Sequence, residues 1–296
     1  MMNLYRIKRR FSYLLKSNPL KIIKDYRIKR KLSREWKDFI YGDLNRPVES
    51  GKVNLYYFKH GVKDNVGDLL SKTIVTFVEE KFSLQNEMRS ETRRLFAIGS
   101  IIDVAKSDMV VWGSGLRNEN SLPPNVKLDI RAVRGPLTRE KLIKSGFNCP
   151  QSYGDPALLL PLFYHPTIDN RESFIIIPHY SKEKNIPEKY QDRVVSTITS
   201  DWKDFVNKII SSEFVISGSL HGIIIAEAYG IPAVLINEID FDLFKYKDYY
   251  ESTDRKDFVV YQDVDDVLSR MKFNDPIPNL SKLQESLLSS FPKDIY

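Results

Sequence analysis

The sequence is short of sulfur and histidine, with one cysteine, Cys149, and four histidines among 296 residues. A single cysteine excludes an internal disulfide and leaves too few thiolates for a zinc cluster, which fits a reducing compartment. No uninterrupted apolar run is long enough to span a bilayer, and "FSYLL" near the N-terminus is too short for the apolar part of a signal peptide. Internal repeats and low-complexity tracts are absent as well. The expectation left is a cytoplasmic protein long enough for two ordinary domains, with 42% hydrophobic residues to give each a core.

Charge is present but unevenly placed. Residues 1–37 hold 13 Lys or Arg against Asp25 and Glu35. The resulting +11, against +6 for the whole chain, leaves −5 for the rest. Leu4, Tyr5, Ile7, Phe11, Tyr13, Leu14 and Leu15 interleave with "RIKRR". Such a basic amphipathic segment suits the inner, anionic face of a membrane, and suits equally a helix docked on its own protein. Nucleic acid is not expected as a partner, because the body carries no second basic patch and no recognition motif.

From about residue 50 the chain alternates strand-like and helix-like stretches. "VNLYYFKH", "RLFAIGS", "MVVWGSG", "KLDIRAV", "SFIIIPHY", "RVVSTI", "FVISGS" and "IPAVLIN" read as strands. "NVGDLLSKTIVTFVEEKF", "PLTREKLIKSG", "DWKDFVNKIISSE" and "LHGIIIAEAYG" read as helices, with Pro136 suited to a first turn and Asp201 to an N-cap. The alternation predicts an α/β protein of two mostly parallel, Rossmann-like domains facing across a cleft. A change of texture around "GDPALLLPLFYHPTIDNRES" predicts a junction near 165–172.

Parallel sheets of this kind bind ligands at the carboxyl ends of their strands. Glycine and polar residues gather there: "KHGVKDNVGD", "GSGLRN", "AVRGPLT", "PHY" and "SGSLHG". Helix starts offer unpaired N–H groups and the positive end of a dipole. Repeated turns of this type are compatible with a phosphate-bearing ligand.

The same residues carry a resemblance. "DNVGD", "WGSGLR", "RAVRGPLTREKL", "YGDPALLLP", "IPHY" and "SGSLHGIIIAEAYGIP", in that order, resemble the polysaccharide pyruvyl transferase family over about residues 55 to 240. The resemblance implies a glycosyltransferase-B-like pair of domains, phosphoenolpyruvate as donor and a sugar hydroxyl as acceptor. The product implied is a pyruvate ketal on a cell-surface polysaccharide or its precursor, with a lipid-linked oligosaccharide as the expected acceptor. The expected division is a basic segment over 1–45, an acceptor-side domain over 46–168 and a donor-side domain over 169–296.

Ketal formation needs a trianionic donor held, a proton supplied to the enol's methylene carbon, and protons accepted from hydroxyls. Arginine suits the first task through its bidentate fork, and histidine suits the others through a pKa near neutrality. No redox cofactor is needed and no metal is demanded. His221 is the expected general acid, or acid then base, with a helix cap as its plain alternative. Serine stands at 219 where many members of the family have arginine, so Arg117 or Arg134 is expected to compensate. Arg134, directly before a helix start, is the expected anion clamp. Ser217, Gly218 and Ser219 form the donor turn. His179 is either a ligand or a histidine satisfied by neighbouring backbone. Asn65, Gly67 and Asp68 match the family and suggest acceptor binding or a base, against a simple capping role. Ser114 and Gly115 are expected to cradle phosphate or sugar, with Arg117 beside them. Asp155 reads as an Asx turn before proline, and Arg131 as facing away from the site.

A nucleotide-sugar glycosyltransferase would share this architecture. It should also show an acidic residue for ribose in the second domain, where "AEAYG" offers Glu227 two helical turns in.

Overall fold

Among the described residues short apolar runs form parallel strands, of which several, Met109–Trp112, Ile175–Ile177 and Val215–Ser217, are buried throughout. The computed structural model describes residues 48–58, 64–123, 125–167, 171–237, 242–271 and 277–296; the basic segment 1–45 lies outside them. Residues 47–296 form one compact unit. Among the described residues one sheet runs β1 (Val53–Tyr56), β2 (Arg93–Phe96), β3 (Met109–Trp112), β4 (Asp129–Ala132), in that spatial order. A second runs β5 (Ile175–Ile177), β6 (Val215–Ser217), β7 (Ala233–Ile236), β8 (Val260–Tyr261). Neither order reverses, so neither sheet contains the switch point at which a doubly wound sheet opens its own crevice.

Seven helices are described: α1 (Val66–Lys81), α2 (Pro136–Lys144), α3 (Trp202–Ile210), α4 (Leu220–Ala228), α5 (Phe244–Ser252), α6 (Val264–Arg270) and α7 (Ser281–Ser290). Asp201 caps α3 as expected, accepting the Asp204 N–H at 3.0 Å. "RVVSTI" does not form a strand. Val194 and Ile198 make isolated bridges to Ile176 and Asn65, because the Ser196 hydroxyl accepts the Ile198 N–H at 3.1 Å and closes a local turn.

The halves share one core. The 3₁₀ helix Pro156–Leu162 buries Ala157 to Leu160 between α1 and α4. Helix α7 returns to the first sheet, where Trp112 Nε1 donates to the Leu287 carbonyl at 2.9 Å and the Phe291 ring meets Trp112 edge-on. Arg131 points into that region, paired with Asp129 and with Asp294 at 2.7 Å. The start of α1 docks on the second half through Val66 N–H to Thr197 O, 2.8 Å.

Candidate active site

Strand β6 ends in the turn Ser217-Gly218-Ser219, and α4 begins at once. His221 therefore falls in the helix's first turn, with an imidazole only 15% exposed. Its ring leaves the second half and lies against the first turn of α1. A methyl group built on Gly67 would come within 2.0 Å of His221 Nδ1, so only glycine admits the ring. On its other nitrogen the ring meets Asp155, with Nε2 3.6 Å from Oδ2. Both atoms are buried and have no hydrogen-bond partner among the described residues. That separation is slightly beyond a hydrogen bond, and a shift of about half an ångström closes it.

Asp155 has two tasks, one per oxygen. Oδ1 accepts the Ala157 N–H at 3.0 Å, the Asx turn read from the sequence. Oδ2 is left for the histidine. A carboxylate in that position can orient the imidazole once the gap closes. Asp68, in the first turn of α1, lies close to the same ring and over Gly99 at the end of β2. Burial, with a smaller contribution from Asp155, outweighs the opposing pull of His221, Lys245 and Arg117 and raises its carboxyl to about 6. A carboxyl poised there can give or take a proton near neutral pH.

Gly67→Ala is accordingly expected to displace the imidazole. The overpacking costs about 1–3 kcal/mol, and turnover should fall by more than tenfold, since a displacement of about 1 Å is enough for losses of that order. Melting temperature and turnover measured together test this; unchanged turnover would mean that the ring's seat is irrelevant.

Cations face the two acids. Arg117 is half-exposed, with Nη2 3.4 Å from Asp103 Oδ2, and its charge reaches Asp68 and Tyr180. His179, at the end of β5, shares a hydrogen bond of 2.8 Å between Nδ1 and the Ser181 hydroxyl. Burial first, then Lys245 and Lys182, lower its pKa to about 4, so it is neutral at pH 7. Lys245 comes from the first turn of α5, an element the sequence analysis left unread.

Several expected site residues are engaged within the fold. Arg134 is 1% exposed; Nε and Nη2 meet Asp248 at 3.1 and 3.0 Å, Nη1 donates to Ser100 Oγ and Nη2 to Leu116 O. Its guanidinium fills the space beside Gly115, where a methyl would approach Cζ to 2.4 Å. In this structure Arg134 joins β4 to α5 and is not an open fork. Asp248 also accepts from the Thr138 N–H and hydroxyl at 2.8 and 2.7 Å, capping α2 from outside. Ser114 donates to Ala97 O at 2.8 Å. Ser217 accepts the Ser219 N–H at 3.0 Å and lies 2.8 Å from Ser219 O. Asn65 caps α1, accepting the Gly67 N–H at 3.1 Å. Ser219 stands at the N-cap of α4 with no side-chain capping bond, and Gly218 packs against the His179 backbone.

Glu227 is 4% exposed and bound by Arg255 at 2.7 Å through both of its oxygens and by the Tyr249 hydroxyl at 2.7 Å. A cavity of about 280 Å³ beside it, lined among others by Val234, Tyr250, Arg255, Phe258 and Met271, shares no residue with the His221 constellation. Among the described residues no group of three or more His, Cys, Asp or Glu side chains could hold a metal ion, and no helix is long and apolar enough to cross a membrane.

The residues brought together are thus His221, Asp68, Gly67 and Asp155, with Arg117, His179 and Lys245 around them. Asp155 was legible only as a turn, since nothing in "YGDPA" says what its second oxygen meets.

Comparison with known proteins bears on what this constellation serves. The family model described as polysaccharide pyruvyl transferase matches residues 11–240. The chain is 28% identical over 221 residues to the uncharacterized protein L143 of Acanthamoeba polyphaga mimivirus, covering 67% of this chain and 73% of that protein. It is 29% identical over 214 residues to the succinoglycan biosynthesis protein ExoV of Rhizobium meliloti (strain 1021), covering 67% of this chain and 64% of that protein. No solved structure matches.

Proposed function

The chain belongs to the polysaccharide pyruvyl transferase family, and on that premise we propose that it transfers the enolpyruvyl group of phosphoenolpyruvate to a sugar of a polysaccharide precursor, forming a pyruvate ketal and releasing phosphate. The observation that carries this reading is a mostly buried imidazole 3.6 Å from one carboxylate and within electrostatic reach of a second, raised to about 6, with the two sheets contributing to one cluster.

Protonated His221 gives its proton to the methylene carbon. The first sugar hydroxyl forms its bond to the carbon bearing phosphate, and its proton passes to ionised Asp68. The second hydroxyl then bonds to the same carbon as the carbon–oxygen bond to phosphate breaks, the electron pair leaving with phosphate. The second hydroxyl's proton restores His221, and Asp68 returns its own to the departing phosphate. Two hydroxyl protons are lost, one reaches carbon and one reaches phosphate, so both residues end as they began. Asp155 holds the ring and stabilises imidazolium through each cycle. The first-turn N–H groups of α4 and Arg117 favour the donor's negative charge.

A lipid-linked acceptor, a glycosyltransferase-B-like cleft with an acceptor side and a donor side, and peripheral membrane contact through segment 1–45 complete the proposal. The nucleotide-sugar alternative loses its ribose candidate, because Glu227 is committed to Arg255 and Tyr249. Incubation with phosphoenolpyruvate and sugar acceptors should release phosphate and add one pyruvyl group to the acceptor by mass. Release of nucleotide from a nucleotide-sugar, with phosphoenolpyruvate untouched, would overturn the assignment.

The pH profile follows from the sign of the shift at Asp68. Below about pH 6 its carboxyl is protonated and cannot accept the hydroxyl proton. Turnover per unit of free enzyme should therefore rise with pH through about 6, and Asp68→Asn should abolish that limb with most of the activity. A group whose proton affinity is higher in the folded chain contributes stability at low pH that is lost as pH rises through its folded pKa. Ionised Asp68 thus disfavours the fold at pH 7.5, and Asp68→Asn should melt no lower than the parent. A variant that keeps the acid limb would remove Asp68 from proton transfer.

A further inference from the structure

Helix α5 is fixed at two points. The Tyr246 hydroxyl donates to Gly218 O at 2.7 Å, tying the helix to the turn that precedes His221. Asp248 ties it to Arg134 and to the start of α2 in the first half. Lys245 lies beside the first anchor, half-buried, with Nζ 4.9 Å from the centre of the Tyr246 ring. It forms no ion pair among the described residues.

Its surroundings are richer in positive charge than in negative. Its charge acts on both Asp68 and His179. Arg117 and Arg134 both press against it electrostatically, Asp68 alone opposing them. Arg134 is already neutralised by Asp248, and Arg117 is shared with Asp103. A partly buried ammonium among more cations than acids is unfavourable on its own, and an anion arriving beside it compensates that cost. The neighbouring turn supplies none of that compensation: Ser217, Gly218 and Ser219 are uncharged and offer an anion only backbone N–H groups.

We propose that Lys245 is an anion-binding residue of this site, pairing with the phosphate or carboxylate oxygens of the phosphorylated donor beside the 217–219 turn. The proposal rests on the donor reading above for the ligand's identity, and on its own geometry for the presence of an anion site. Burial together with the two arginines lowers the ammonium's pKa to about 8, which still leaves it mostly charged at pH 7. Lys245 holds the donor and takes no part in proton transfer, so its loss should appear in binding.

The test uses the full chain, inorganic phosphate as a charge-only probe and phosphoenolpyruvate as donor, with Lys245→Gln, Lys245→Met and Lys245→Arg. Removing a charge-assisted hydrogen bond to an anion should weaken phosphate binding by calorimetry roughly ten- to hundredfold in the Gln and Met variants. KM for phosphoenolpyruvate should rise by a similar factor, while kcat changes by less than about threefold. Lys245→Arg, which keeps the charge, should recover most of the affinity. Should Lys245→Gln fail to fold, Lys245→Met gives the same reading with an apolar stem. Phosphate bound equally by parent and uncharged variants, or not bound by the parent at all, overturns the proposal. Phosphate binding that depends on Lys245 without consumption of phosphoenolpyruvate leaves the anion site standing and removes the reaction. Turnover with unaltered phosphate and donor affinity does the reverse.

Discussion

His221→Ala is expected to lower turnover by about 10²–10⁴-fold, the range of a lost general acid, while weakening donor binding only modestly. The asymmetry follows from where the ring sits. In the proposed reaction the donor's charge is met by N–H groups at the start of α4 and by Arg117 and Lys245, none of which the substitution removes. What disappears is an imidazole 3.6 Å from Asp155 and within electrostatic reach of Asp68. The same variant tests the seat of the ring. With the imidazole gone, a methyl group on residue 67 no longer meets Nδ1, so adding Gly67→Ala to His221→Ala should cost little more in turnover or stability. Non-additivity of this kind is the signature of two residues in contact. Near-normal turnover in His221→Ala would place the acid elsewhere, with Asp68 the first group to examine.

Arg134→Met is expected to lower stability by about 3–5 kcal/mol, because it leaves Asp248 buried and unpaired. For a chain of this size that corresponds to a drop in melting temperature of roughly 5–10 °C. Asp248 is 0% exposed and keeps only its two contacts to Thr138 when the guanidinium is removed. Replacing the pair together, as Arg134→Met with Asp248→Leu, should recover part of the loss, since two apolar groups leave no uncompensated charge. Recovery should be incomplete because the start of α2 then loses its external cap. If Arg134 were an open ligand for the donor, the single variant would keep its melting temperature and raise KM instead. Calorimetry and donor titration on one sample separate the two.

The contrast at Arg134 shows where sequence reasoning stops. "RAVRGP" correctly places an arginine between a strand and a helix start, which is where an anion clamp belongs. Which charge meets it depends on Asp248, 114 residues further on, and no local pattern brings that residue near. Lys245 escaped for the same reason: nothing in "FKYKDYY" tells that Tyr246 and Asp248 tie the segment to Gly218 and Arg134, which is what brings the lysine to the proposed site. Residues whose task is local were legible. Asn65 and Asp201 cap the helices they precede, Asp155 makes its Asx turn, and His221 stands at the strand-to-helix turn where the "SGSLHG" pattern puts it.

Strand positions were legible because β-branched runs buried on both faces leave a continuous apolar signal. Strand order was not, since "MVVW" and "FVIS" do not encode their neighbours. Of the runs read as strands, "RVVSTI" alone does not form one, diverted by a serine that binds its own backbone two residues on, and the two-residue β8 was not read.

A crystal structure of the chain with phosphoenolpyruvate bound measures the central claim most directly. The account predicts the donor's methylene carbon about 3–3.5 Å from the His221 ring, the separation of a near-attack geometry, with its phosphate at the 217–219 turn. Donor density in the cavity beside Glu227 and Arg255, or anywhere out of reach of His221 and Asp68, would contradict it.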